Sequence, residues 1–183
     1  MYKVYPKIIL ACLLLVMTGT VYSQRVTQTI NDGWKFSLFE GDASTADFDI
    51  SGWTDVSIPH TWNAKDADDE IPGYFRGKGW YRKVVAVEEL IPEQRVYLSF
   101  EGANQETNVF VNGTFVGNHK GGYSAFTFDV TDYVHAGRNL IAVSVDNSHN
   151  PDIAPLSADF TFFCESATLL PSASKISVSR IND

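Results

Sequence analysis

Between Asn108 and Asn147 the chain reads NVFVNGTFVGNHKGGYSAFTFDVTDYVHAGRNLIAVSVDN, with apolar and polar residues alternating at period two. Turn-forming residues break the alternation at short intervals. A helix needs apolar residues every three or four positions, so this pattern predicts short antiparallel strands. Val109, Val111, Phe115, Phe126, Phe128, Leu140, Ala142 and Val145 read as inward positions, and Val143 as buried although it breaks strict alternation. Asn112-Gly113 supplies the positive φ angles of a two-residue hairpin, which pairs NVFV with TFVGNH. The one helical feature expected is a single turn around Thr131 to Tyr133.

Extended to the whole chain, the same reading gives ten strands: 28–30, 35–38, 54–58, 80–87, 95–100, 108–111, 114–119, 125–129, 140–145 and 159–163. Many short strands separated by turns imply a two-sheet sandwich. A short helical turn is expected within 45–50, and the two prolines and two asparagines of 146–155 mark a long connection.

The first 23 residues are read as an export signal. Lys3 and Lys7 precede an apolar run from Ile8 to Met17, and small or β-branched residues lead to Ser23. The run is too short to span a bilayer. Cleavage between Ser23 and Gln24 leaves 160 residues, enough for one domain with a real core. Only four residues separate Lys7 from Cys12, too few for the apolar stretch a lipidation signal requires. The net charge is −8, or −10 once Lys3 and Lys7 are gone, with no basic cluster. Such a surface argues against nucleic acid or anionic membrane as partners and suits a neutral ligand such as a sugar. Cys164 is the one cysteine left after cleavage, so no disulfide forms within the mature chain.

Four motifs in order carry a family resemblance: INDGWKFSLFEGD (30–42), WTDVSIPHTWNAKD (53–66), GKGWYRK (77–83) and the block from Val111 to Asn147. Together they resemble the amino-terminal sugar-binding domain of glycoside hydrolase family 2, and the resemblance runs to Phe163. It implies an all-β jelly-roll sandwich over 24–163, galactose-binding-domain-like, that binds carbohydrate and buttresses a catalytic barrel. It implies a β-galactosidase-like enzyme in an extracytoplasmic or cytoplasmic context, and the export signal read above adds a periplasmic or secreted location in a bacterium.

Retaining glycosidases need two carboxyl groups roughly 5 Å apart. In the family these stand on a barrel of about 250 residues, for which a mature chain of this length has no room, so no catalytic residue is assigned. Glu88 and Glu89 point to opposite faces, and the acidic run Asp66 to Glu70 reads as solvated loop. The resemblance carries over Asp159, in SADFTFF, as the aspartate that projects toward the sugar. A carboxylate there accepts paired hydrogen bonds from vicinal hydroxyls. No cofactor is expected for this chain; near Asp159 the family implies a monovalent cation in a full-length enzyme. Arg76, in GYFRGKGWYRK, lies in a loop the family also turns toward its site and is the second substrate-binding candidate. Trp34, Trp53 and Trp62 read as structural, and one of Trp80 and Tyr81 as core by alternation. The four histidines show no metal-ligand spacing, and the NHKGGY loop reads as a crossover between sheets.

After Phe163 the family pattern gives way to CESATLLPSAS, and KISVSRIND then alternates again like a strand. Residues 164–183 therefore form an atypical tail, compatible with divergence, a reading-frame disturbance or a truncated gene. The last strand and its edge pairing are in doubt on this reading. The functional expectation is a sugar-binding scaffold domain of a family 2 glycosidase, without activity of its own. A free-standing carbohydrate-binding module and an inactive remnant are the alternatives.

Overall fold

The structure, a computed structural model, describes residues 25–62, 75–90, 92–153 and 176–182. Among them are strands β1 (Val26–Thr29), β2 (Trp34–Leu38), β3 (Thr54–Val56), β4 (Lys78–Val87), β5 (Gln94–Phe100), β6 (Glu106–Val111), β7 (Thr114–Lys120), β8 (Phe126–Asp129), β9 (Gly137–Asp146) and β10 (Ile176–Asn182). One 3-10 turn, Thr131–Tyr133, sits where a single helical turn is expected. The strands form a jelly-roll sandwich of two antiparallel sheets, in the orders β3-β2-β4-β9-β6-β7 and β1-β10-β5-β8. The expected strand 159–163 lies outside the described residues.

The alternation is explained by what each face meets. In the larger sheet Val109 pairs with Val143, Val111 with Ile141 and Thr107 with Val145, so these side chains share the inner face. They pack against Val96, Leu98 and Phe100 of the smaller sheet. Removing each such side chain from water stabilises the fold by about 1.5–3 kcal/mol. Asn112 (φ 52°) and Gly113 (φ 83°) both adopt the left-handed conformation a two-residue hairpin requires.

Three inward assignments are corrected. Phe115 is 51% exposed. In a two-residue hairpin Thr114 faces the same way as Val111, so Phe115 shares the outer face with its partner Phe110. Leu140 and Ala142 also lie on the outer face, because the inner residues of β9 are Ile141, Val143 and Val145. Leu140 is half-buried there, whereas Ala142 is fully buried in a second cluster with Ala43 and Trp80. Trp80 and Tyr81 are consequently both buried, one on each face of β4, where alternation predicted one.

The second cluster exists because the segment 39–53 crosses the outer face of the larger sheet. Trp80 Nε1 donates to the Gly41 carbonyl (3.0 Å), and the buried Arg82 donates to the Thr45 (2.7 Å) and Phe48 (3.3 Å) carbonyls. Phe48 and Trp53 stand beside the guanidinium, their ring centres 5.8 and 5.9 Å from it. A charge held there is costly unless its donors find acceptors; the two carbonyls supply them for both terminal nitrogens, while Nε is buried without an acceptor among the described residues.

The tail strand is not at an edge. β10 lies between β1 and β5, from Ile176 opposite Phe100 to Asn182 opposite Gln94, with Val26 to Thr29 along its other side.

Candidate functional site

The register brings several connections to one end of the larger sheet. Lys78 opposes Asp146, Asp146 opposes Glu106, and Glu106 opposes Lys120. The loops before β4, after β9, before β6 and after β7 are therefore neighbours along one rim. Arg76 stands in the first of them, two residues before β4, and is half-buried and engaged with its neighbours.

Asn147 fixes this loop. Its side-chain amide donates to the Phe75 carbonyl (2.8 Å), and its Oδ1 accepts from the Gly77 N–H (2.7 Å). The Asn147 N–H in turn donates to the Gly77 carbonyl (3.1 Å). These bonds bracket Arg76 on both sides and hold its backbone. Gly77 cannot be another residue without strain: its φ is +154°, and a Cβ there would come 2.9 Å from Glu40 Oε1 and 3.1 Å from the Phe75 ring. The same Glu40 oxygen accepts from the Lys78 N–H (3.2 Å), tying segment 39–53 to the rim.

Beneath the rim, Trp62 lies over Gly79, where a Cβ would come 2.5 Å from the indole, and stacks on Phe36 at 5.6 Å. His60 Nδ1 bonds the buried Tyr81 hydroxyl at 2.9 Å. Burial holds the His60 pKa below its usual value of 6.5, so the imidazole is neutral near pH 7.

Asp159, the acidic run 66–70 and Cys164 lie outside the described residues. Ile153, buried, is the last described residue of the connection after β9, and Ile176, opposite Phe100, begins β10. Glu88, weighed for chemistry, has a structural partner in Arg180 (2.7 Å), and Glu106 on the rim pairs with Lys120 (3.6 Å).

Asn147 and Glu40 are missed by sequence reasoning. The available signal was Asn147 itself, an amide directly after the last alternating residue, where a side chain commonly satisfies loose backbone groups. Its partners, some 70 residues earlier, carry no local mark.

The sequence pattern described as "Glycosyl hydrolases family 2, sugar binding domain" matches residues 27–160. The chain belongs to glycoside hydrolase family 2. It is 35% identical over 154 residues to a β-glucuronidase of Bacteroides fragilis, covering 82% of this chain and 21% of that protein. A β-galactosidase of Thermoanaerobacter pseudethanolicus is 39% identical over 138 residues, covering 71% of this chain and 16% of the relative. Among solved structures, the crystal structure of a Bacteroides uniformis β-glucuronidase superposes with a TM-score of 0.73 at 39% identity, covering 87% of this chain and 18% of that one. The chain thus spans about a fifth of the length of these family 2 relatives, and what it shares with them is their sugar-binding amino-terminal domain.

Proposed function

We propose that this domain forms one wall of the sugar site of an exported family 2 glycosidase, with Arg76 and Asp159 facing the substrate and the rim buttressing a catalytic barrel. The observation that carries the reading is the bracketing of the Arg76 backbone by Asn147 at the rim of the larger sheet. A guanidinium and a carboxylate together supply donors and acceptors for vicinal sugar hydroxyls, and the guanidinium also matches a sugar carboxylate. Names such as β-glucuronidase and β-galactosidase among the relatives fit either substrate class. The export reading rests on the signal-like residues 1–23; mass spectrometry of the secreted protein is expected to find Gln24, or its cyclised form, at the amino terminus.

By itself the domain is expected to turn over no aryl glycoside and to bind monosaccharides weakly. A shallow wall with one carboxylate and one guanidinium barely offsets desolvation, and millimolar affinity corresponds to only about −4 kcal/mol. Calorimetric titration with galactose, glucuronate and mannose tests this. Asp159→Asn and Arg76→Gln are each expected to weaken whatever binding is seen. Micromolar affinity that survives both substitutions would overturn the assignment and favour a free-standing carbohydrate-binding module.

A further inference from the structure

Exposed large hydrophobic residues are distributed unevenly over the described surface. Leu38, Phe39, Phe75 and Tyr123 all lie at the Arg76 end, and Tyr123 is the most exposed of any, at 58%. It sits in the loop after β7, while Phe75, 40% exposed, sits in the loop before β4. Three inter-strand steps separate β4 from β7, so the two loops are rooted about 14 Å apart at about 4.8 Å per step.

The Tyr123 loop is braced rather than loose. The Gly121 N–H donates to the Gln105 carbonyl (2.8 Å), and Gly122 lies against Asn104, where a Cβ would come 2.6 Å from Oδ1. Ser124 Oγ bonds His119 Nε2 (3.1 Å), and the His119 ring stacks on Phe126 at 4.0 Å. Gln105 also joins this loop to the Arg76 side: its N–H donates to the Asp146 carbonyl (3.0 Å) and its side chain to the Ser148 carbonyl. The loop is therefore braced while the Tyr123 ring is exposed, and Asn104, packed against Gly122, and Ser124, next in the chain, are polar groups of the same region. Ordering a flexible loop on binding has an entropic cost, and a loop already braced avoids it.

We propose that Tyr123 is a second, distal carbohydrate contact, and that the ligand of this rim is an oligosaccharide lying from the Arg76 loop to the Tyr123 loop rather than one sugar ring. This rests on the reading of the Arg76 end as sugar-facing. The acidic net charge of the chain suits an uncharged glycan beyond the Arg76 end. A stacking platform recognises the apolar face of a pyranose, while Asn104 and Ser124 supply hydrogen bonds at its edge.

The test is calorimetric titration of the purified chain with galactose and with β-1,4-linked galactobiose and galactotetraose, repeated with the corresponding glucose and mannose series. The tetrasaccharide of one series is expected to bind about tenfold more tightly than its monosaccharide, equivalent to about 1.4 kcal/mol. Tyr123→Ala should abolish that gain and leave monosaccharide affinity unchanged, whereas Tyr123→Phe should keep it. Because Tyr123 is exposed, neither variant should alter the unfolding midpoint. Arg76-dependent monosaccharide binding with no gain on lengthening would overturn the distal site and leave the sugar-wall reading intact. A gain on lengthening that survives Tyr123→Ala would place the contact elsewhere and also overturn the proposal. Absence of binding at every length would sink both readings and leave the exposed aromatics as a protein contact.

Discussion

Replacing Asn147 with Ala removes both side-chain bonds of the Arg76 loop at once. The two losses differ in kind. The Gly77 N–H is buried, and without Asn147 Oδ1 it has no acceptor there, which costs about 1–3 kcal/mol. The Phe75 carbonyl belongs to an exposed residue and can turn to water, so its loss costs about 0.5–1 kcal/mol. The sum is about 1.5–4 kcal/mol, measurable as a lower urea midpoint at constant slope. Amide hydrogen exchange gives the local readout: Gly77 should lose protection ahead of the core strands, because its loop opens without global unfolding. Asn147→Asp keeps the acceptor for Gly77 but sets a carboxylate against the Phe75 carbonyl, so it should fall between wild type and Ala. A loss under 0.5 kcal/mol for Asn147→Ala, with Gly77 still protected, would refute the claim that Asn147 holds this loop.

Three further outcomes follow from the packing. Gly117→Ala should destabilise by about 1–3 kcal/mol in thermal unfolding, since its Cβ would come 2.4 Å from the Phe128 ring; a neutral result would show that Phe128 swings freely. Phe115→Ser should cost no more than about 1–2 kcal/mol, because the ring is half exposed on the outer face and meets Phe110 edge-on there (ring centres 5.5 Å), whereas an inward Phe would cost about 3–5 kcal/mol. Stability measured against pH should show two steps. His60 is held below its usual 6.5, so the unfolded chain takes up its proton first and stability declines as pH falls below about 6.5, ending once His60 is protonated in the fold. Burial pushes Asp129 up, but Thr131 and Arg95 together hold it below its usual 3.8, so its contribution is lost only as pH falls below that value; His60→Phe should erase the first step alone.

Local chemistry was legible in the residues themselves. The hairpin at Asn112-Gly113 and the turn at Thr131 depend on neighbouring φ angles, and strand positions depend on a period of two, so a few adjacent residues suffice to specify them. The motif order also sufficed for the family. The parity of Phe115 was available too, since a two-residue turn dictates which residues share a face, but it was not carried through the hairpin.

Tertiary structure alone decided what covers each face and what meets at the rim. Alternation defines two faces without saying that segment 39–53 lies over the outer one, so Ala142 and Trp80 are buried by residues 27 to 99 positions away. The tail strand reads as a doubtful edge until β1 and β5 are seen to flank it. Asn147 reaches Phe75 and Gly77 across 72 and 70 residues, and the loop that carries Tyr123 is braced by Asn104, Gln105 and His119. A hydrogen bond between distant residues leaves no periodicity and no local propensity behind, because its geometry arises only when sheet register brings the strand ends side by side.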